Sequence, residues 1–235
     1  MALEPIVVIN GLSSLIFVII SILVGIFIIS NYFQHKNMNL IYVGLAWIGL
    51  SEPWWASSVS FLIALFNDTG LSNEAYLFIG NVFIPLFILF WLKAMGNLLD
   101  WQRMKLISLI YTIASITFEI LFMIFLFINY SIIGQKVGPV DADFGLFTIL
   151  FLFINLVLFF GTGIWFAVSS VKSDDKRVKL KGQFLLVAFI TFVFGTAWDI
   201  IATNPLTRLL LVISAVIFYI GFVLPPNIQK LFIKE

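Results

Sequence analysis

The chain has 235 residues, 62% of them hydrophobic and 11% charged, with a mean hydropathy of +1.12. That is more apolar surface than a water-soluble domain of this length can bury, so a bilayer must solvate most of it. Lys plus Arg number 13 against 12 Asp plus Glu, which excludes the basic footprint of a nucleic-acid binder, and the lack of cysteine excludes disulfides, thiolate nucleophiles and cysteine metal sites.

The apolar runs are continuous and not alternating, which indicates membrane helices in an all-α fold and excludes the dyad pattern of a transmembrane β-barrel. Met1 to Pro5 has no basic residue, and the apolar run that follows outlasts the core of a cleavable leader, so it reads as a first span. Spans are expected at roughly 6–33, 38–66, 75–99, 105–131, 145–171, 182–203 and 206–225, making one transmembrane domain over 1–235. Gln34 to Asn37 separates the first two, and Asn67-Asp68-Thr69-Gly70 is a turn-rich break after the second. Gly134 to Phe144 and Lys172 to Lys181 are the longest loops, whereas Asn204-Pro205 predicts a tight turn that makes the last two helices an antiparallel hairpin.

Orientation follows from the basic residues. With the N-terminus outside and the C-terminus in the cytoplasm, ten of them fall on the cytoplasmic side: Lys36, Arg103, Lys105, Lys172, Lys176, Arg177, Lys179, Lys181, Lys230 and Lys234. Only Lys136 and Arg208 fall outside, and Lys93 lies within a span. Two N-x-[ST] tripeptides, at Asn67 and Asn129, lie on the same external side. The expected location is the cell membrane.

Polar side chains within spans carry the functional signal, because exposing an ionised one to lipid costs about 3 kcal/mol. Glu52 and Glu119 each lie about 14 residues into helices that start at the cytoplasmic face, roughly 20 Å deep at 1.5 Å per residue. Ser108, Thr112, Ser115 and Glu119 recur at helical spacing and predict an inward polar stripe on the fourth span. Around Glu52 stand Pro53, Trp54 and Trp55, which predict a kinked, aromatic-lined pocket whose further walls come from Asn81, Asn155 and Trp198. The same groups could instead serve as hydrogen-bonding glue between helices. Asp199 and Arg208 face each other across the Asn204-Pro205 turn and are expected to form a structural ion pair.

His35 is the sole histidine and sits in a short loop, so neither a histidine metal site nor a buried Ser-His-Asp arrangement is expected. No lysine occurs from Arg208 to Leu224 to carry a retinal Schiff base, and no cofactor or enzymatic activity is expected. The stretch from Arg208 to Asn227, with Glu52-Pro53-Trp54-Trp55, resembles uncharacterised seven-helix membrane proteins of archaea, some of them similar to sensory membrane modules. That resemblance implies a heptahelical bundle and a sensory role, and transfers no catalytic residue.

Three roles fit these residues. A receptor-like sensor would bind an apolar or amphiphilic ligand in the aromatic pocket and signal to a cytoplasmic protein through Lys172–Lys181. A small proton- or cation-coupled transporter or channel would use Glu52 and Glu119 as a relay. A non-catalytic subunit of a membrane complex would use the Phe-rich outer faces and Gly161-Thr162-Gly163. Oligomeric state is not legible.

Overall fold

The computed structural model describes residues 3–201 and 205–233. Asn204, half of the expected tight turn, and Lys234, one of the ten basic residues, lie outside the described residues.

Helix α1 (Pro5–Ser30) starts with proline at its first position, where the missing N–H costs nothing, and continues after Asn31 into the single turn α2 (Tyr32–His35). Lys36 takes a left-handed backbone (φ 52°), and the Asn37 carboxamide caps α3 (Met38–Leu50) by accepting from the Asn39 N–H at 3.0 Å. Helices α1 and α3 cross closely at Gly25 and Gly44. A Cβ on Gly25 would come within 2.7 Å of the Gly44 carbonyl oxygen, and one on Gly44 within 2.6 Å of Gly25's. The two small residues let the backbones touch, which in lipid replaces the hydrophobic drive that water would supply.

The second apolar stretch is broken. Helix α4 (Pro53–Asn67) follows α3 after Ser51 and Glu52, which keep helical dihedrals but hydrogen-bond with i→i−3 spacing, as in Glu52 N–H to Gly49 O at 3.0 Å. Pro53 lacks the N–H that would continue the ladder, so the kink falls where the sequence places it. The third stretch is also broken, which was not expected from the sequence. Helix α5 (Asn73–Ile79), capped by the Ser72 hydroxyl, is separated from α6 (Ile84–Leu98) by a turn over residues 80–83. Pro85 lies in the first turn of α6.

Helices α7 (Met104–Ile128), α8 (Leu146–Val171), α9 (Lys176–Ile201) and α10 (Pro205–Val223) are unbroken. A left-handed Leu224 (φ 52°) and two prolines then turn the chain into α11 (Pro226–Phe232), a short helix absent from the expected elements, with Leu231 and Phe232 exposed. Among the described residues, six helical segments are long and apolar enough to cross a membrane: Pro5–His35, Asn73–Leu98, Met104–Ile128, Leu146–Val171, Lys176–Asp199 and Pro205–Val223. Helix α3 is a shorter apolar one. The chain is therefore a multi-pass helical membrane protein, with the all-α bundle that its composition requires.

The core is aromatic. Trp47 stacks on Phe218 with centroids 3.7 Å apart, and Trp91 meets Phe159 at 4.4 Å and Phe189 edge-on at 5.8 Å, tying α3, α6, α8, α9 and α10 together. The Trp91 indole N–H also donates to the Thr162 hydroxyl at 2.8 Å. A second cluster stacks Phe118 of α7 on Phe151 of α8.

The segment Gly134 to Phe144, expected as a loop, is a β-hairpin. Strand β1 (Gly134–Val137) pairs antiparallel with β2 (Asp141–Phe144), register Gly134 with Phe144 and Val137 with Asp141. The hairpin is pinned to one end of the bundle. Ser60 donates to the Pro139 carbonyl at 2.5 Å, Tyr76 donates to the Val140 carbonyl at 2.9 Å, and the Lys136 N–H reaches the Asn73 carboxamide at 2.8 Å. The Lys136 ammonium binds the carbonyls of Thr69 and Leu71, and burial pushes its pKa below the usual lysine range. The Asn67 carboxamide of the first N-x-[ST] tripeptide is engaged too, accepting from the N–H groups of Thr69 and Gly70.

Candidate functional site

Between the hairpin and the helices below it lies a cavity of about 540 Å³, within the usual range for small-molecule sites. Its body is apolar, walled by Ile84, Phe87 and Ile88 of α6, Ile149, Leu152, Phe153 and Leu156 of α8 and Phe192 of α9. Its head is polar and lies toward the hairpin, where Ser57, Tyr76, Asp141, Asp143, Asp199 and Arg208 converge. Two chemistries thus meet in one half-open volume: an aliphatic-aromatic barrel, and a cap of carboxylates around one guanidinium.

The cap is held together by Arg208, which is 2% exposed. From the first turn of α10 its guanidinium donates to the Asp141 carboxylate at 2.7 Å and to the backbone carbonyl of Asn10 on α1. Asp199 of α9, the partner expected from the sequence, stands farther off at 3.9 Å from the Arg208 Nε. Its carboxylate is served more closely by the Thr207 hydroxyl at 2.5 Å and the Trp54 indole N–H at 3.1 Å. The expected pair is therefore a network, and its shortest ionic contact is to Asp141, a residue that the sequence did not single out. Asn10 adds a second donor to Asp141 at 3.3 Å. Beside them Ser57 and Tyr76 share a hydrogen bond of 2.7 Å, and Tyr76 passes it on to the hairpin backbone at Val140.

The pocket expected around Glu52 is met in part, since the cavity borders the α3–α4 kink at Gly49, Leu50, Pro53 and Trp54. Trp54 and Asn155 line the cavity, but Glu52, Trp55, Asn81, Ser115, Glu119 and Trp198 do not. Trp55 turns its indole N–H back to the Ser51 hydroxyl at 2.9 Å, and Trp198 packs edge-on against Phe194, which is exposed. Glu52 is fully buried in the α3–α4 kink, where one carboxyl oxygen accepts from the Phe83 N–H at 2.6 Å. The polar stripe of α7 lies on its inward side, with Ser115 buried and Ser108, Thr112 and Glu119 half-buried. Tyr111, Ser115 and Phe118 are buried, while the Thr112 hydroxyl merely returns to the Ser108 carbonyl one turn earlier. The Tyr111 hydroxyl donates to Asn155 on α8, which lines the cavity.

No family model matches the chain, and no curated protein matches it either. The fold and the cavity define it as a multi-pass helical membrane protein with a half-open cavity, part apolar and part polar, at its hairpin end.

Proposed function

We propose that this protein is a seven-span, receptor-like sensor that binds an amphiphilic ligand in the hairpin-end cavity and reports it at the opposite, lysine-rich end. The observation that carries this reading is the cavity itself, about 540 Å³ with an apolar body and a polar cap built around Arg208. An apolar chain or ring system would occupy the space among Phe87, Leu156 and Phe192. Its polar end would meet Asp141, Asp143 and Arg208. Helix α9 contacts the ligand through Phe192, Thr196 and Asp199 and begins at Lys176 in the basic segment 172–181, so a shift of α9 would carry the signal to a cytoplasmic partner. The kinship suggested by the sequence, with sensory seven-helix proteins of archaea, accords with this role.

In this reading α3 and α4 together make the second crossing of the cell membrane, and the hairpin end faces outside. The positive residues support that side, and the natural absence of cysteine makes the topology easy to check. A cysteine at Val137, exposed on the hairpin, should react with an impermeant maleimide on intact cells, and one at Ser173 only after the inner face is opened. Reversed labelling would overturn the orientation.

Ligand binding is tested by melting the purified protein with dodecylamine, dodecyl maltoside or dodecyl sulfate, three equal chains with different heads. At least one should raise the midpoint saturably, and Leu156→Trp, which fills the cavity, should remove that rise while the variant itself stays folded. Equal shifts in wild type and Leu156→Trp would mean that the amphiphiles act only as detergent.

A further inference from the structure

The two helix breaks lie side by side, and Glu52 joins them. Its carboxyl sits in the α3–α4 kink, fully buried, and one oxygen accepts from the Phe83 N–H at 2.6 Å, the last residue of the turn between α5 and α6. Asn81 in that same turn is 1% exposed, and its amide N–H₂ is spent on the Leu77 carbonyl at 2.8 Å. Three acceptor oxygens then remain buried without a hydrogen bond: Glu52 Oε2, Asn81 Oδ1 and Glu119 Oε1. Glu119 lies on α7, which packs against both α5 and α6.

Buried acceptors left without a hydrogen bond in a low-dielectric interior are costly, and groups of this kind are nearly always matched by something. The donor set is all oxygen, two carboxylates and an amide, which suits a hard cation and not a thiophilic or imidazole-seeking metal. Discontinuous helices that meet inside a membrane protein are a known way to surround such an ion, because their open turns free backbone carbonyls.

We propose that Glu52, Asn81 and Glu119 form a binding site for a dehydrated monovalent cation at the junction of the two broken helices. None of the three lines the amphiphile cavity, so this site stands apart from the ligand reading and can fail or succeed without it. A bound ion would hold the kinks of α3–α4 and α5–α6 together and draw α7 against them through Glu119.

The test uses the purified full chain in detergent, exchanged into choline chloride and titrated with sodium chloride at constant ionic strength. Sodium should raise the unfolding midpoint saturably, on the order of 5 °C at a hundredfold excess over its Kd, while choline leaves it unchanged. Glu52→Gln keeps an oxygen for the Phe83 N–H and so should fold, but it should lose the sodium response, as should Glu119→Gln. A response identical for sodium and choline, or one that survives in both variants, overturns the site. So does a sodium-insensitive infrared band of a protonated carboxyl that vanishes in Glu52→Gln, because a proton would then be the occupant.

Discussion

Replacing Arg208 with methionine should lower the unfolding midpoint by about 10 °C, the largest loss expected of any single polar substitution. Arg208 is 2% exposed and lies 2.7 Å from Asp141 and 3.9 Å from Asp199, and it also holds the Asn10 carbonyl. Methionine fills most of its volume, so the loss is electrostatic and not a matter of packing. Removing one partner of a buried ionic network costs about 3–5 kcal/mol, because the remaining charges stay desolvated and unmatched. For a chain of this size each kcal/mol corresponds to roughly 2–4 °C. The double variant Arg208→Met/Asp141→Asn should recover part of the loss, and Arg208→Met/Asp199→Asn less, since Asp199 retains Trp54 and Thr207 as donors. Equal recovery in both doubles, measured by differential scanning fluorimetry in the same detergent, would show that the distances do not rank the two partners.

Trp91→Ala should cost nearly as much, about 3 kcal/mol, for a different reason. Trp91 is fully buried where four helices meet, with Phe159, Phe189 and Phe218 around its ring. In water such a truncation costs about 3–5 kcal/mol, part of it lost transfer energy and part the cavity left behind. In a bilayer the transfer part shrinks, because the separated helices are solvated by lipid and not by water. The cavity part persists, since lipid cannot reach this site to fill it. Trp91→Phe should lose only the hydrogen bond to Thr162 and some ring area, about 1 kcal/mol. Were Trp91→Phe as damaging as Trp91→Ala, the hydrogen bond and not the packing would be the main contribution.

Both sites show what was legible beforehand. The long apolar runs announce helices through composition and length alone, and Pro53 announces the α3–α4 kink, because those signals are local. The α5–α6 break escaped notice because Gly80-Asn81-Val82-Phe83 reads as part of an apolar run, and only the tertiary bond from Phe83 to Glu52 makes sense of it. The hairpin was missed since its strands are four residues each, too short for an alternating pattern, and are stabilised by contacts to Ser60, Asn73 and Tyr76 far away in the chain. Asp141 went unnamed for the same reason. It looks like an ordinary loop aspartate until α10 brings Arg208 to it across 67 positions of sequence. The depth of Glu52 in its span marks it as a buried acid, but sequence spacing does not distinguish a residue that faces a cavity from one that faces a neighbouring turn.

The kink that seats Glu52 also bears on how the chain enters the membrane during synthesis. The translocon weighs each emerging segment by its partition into lipid, and a carboxylate at the centre of a helix weighs about 2.5–3.5 kcal/mol against release. The stretch of α3 and α4 brings that penalty along with Pro53 and the hydroxyls of Ser57, Ser58 and Ser60. Helix α1 precedes it and carries the highest mean hydropathy of the six long spans, 3.0. It ends up packed against both α3 and α4. The most apolar of the long spans is thus made before α3 and α4 and can wait in the lipid as a landing surface for them, so the order of synthesis offsets the cost of burying the acid.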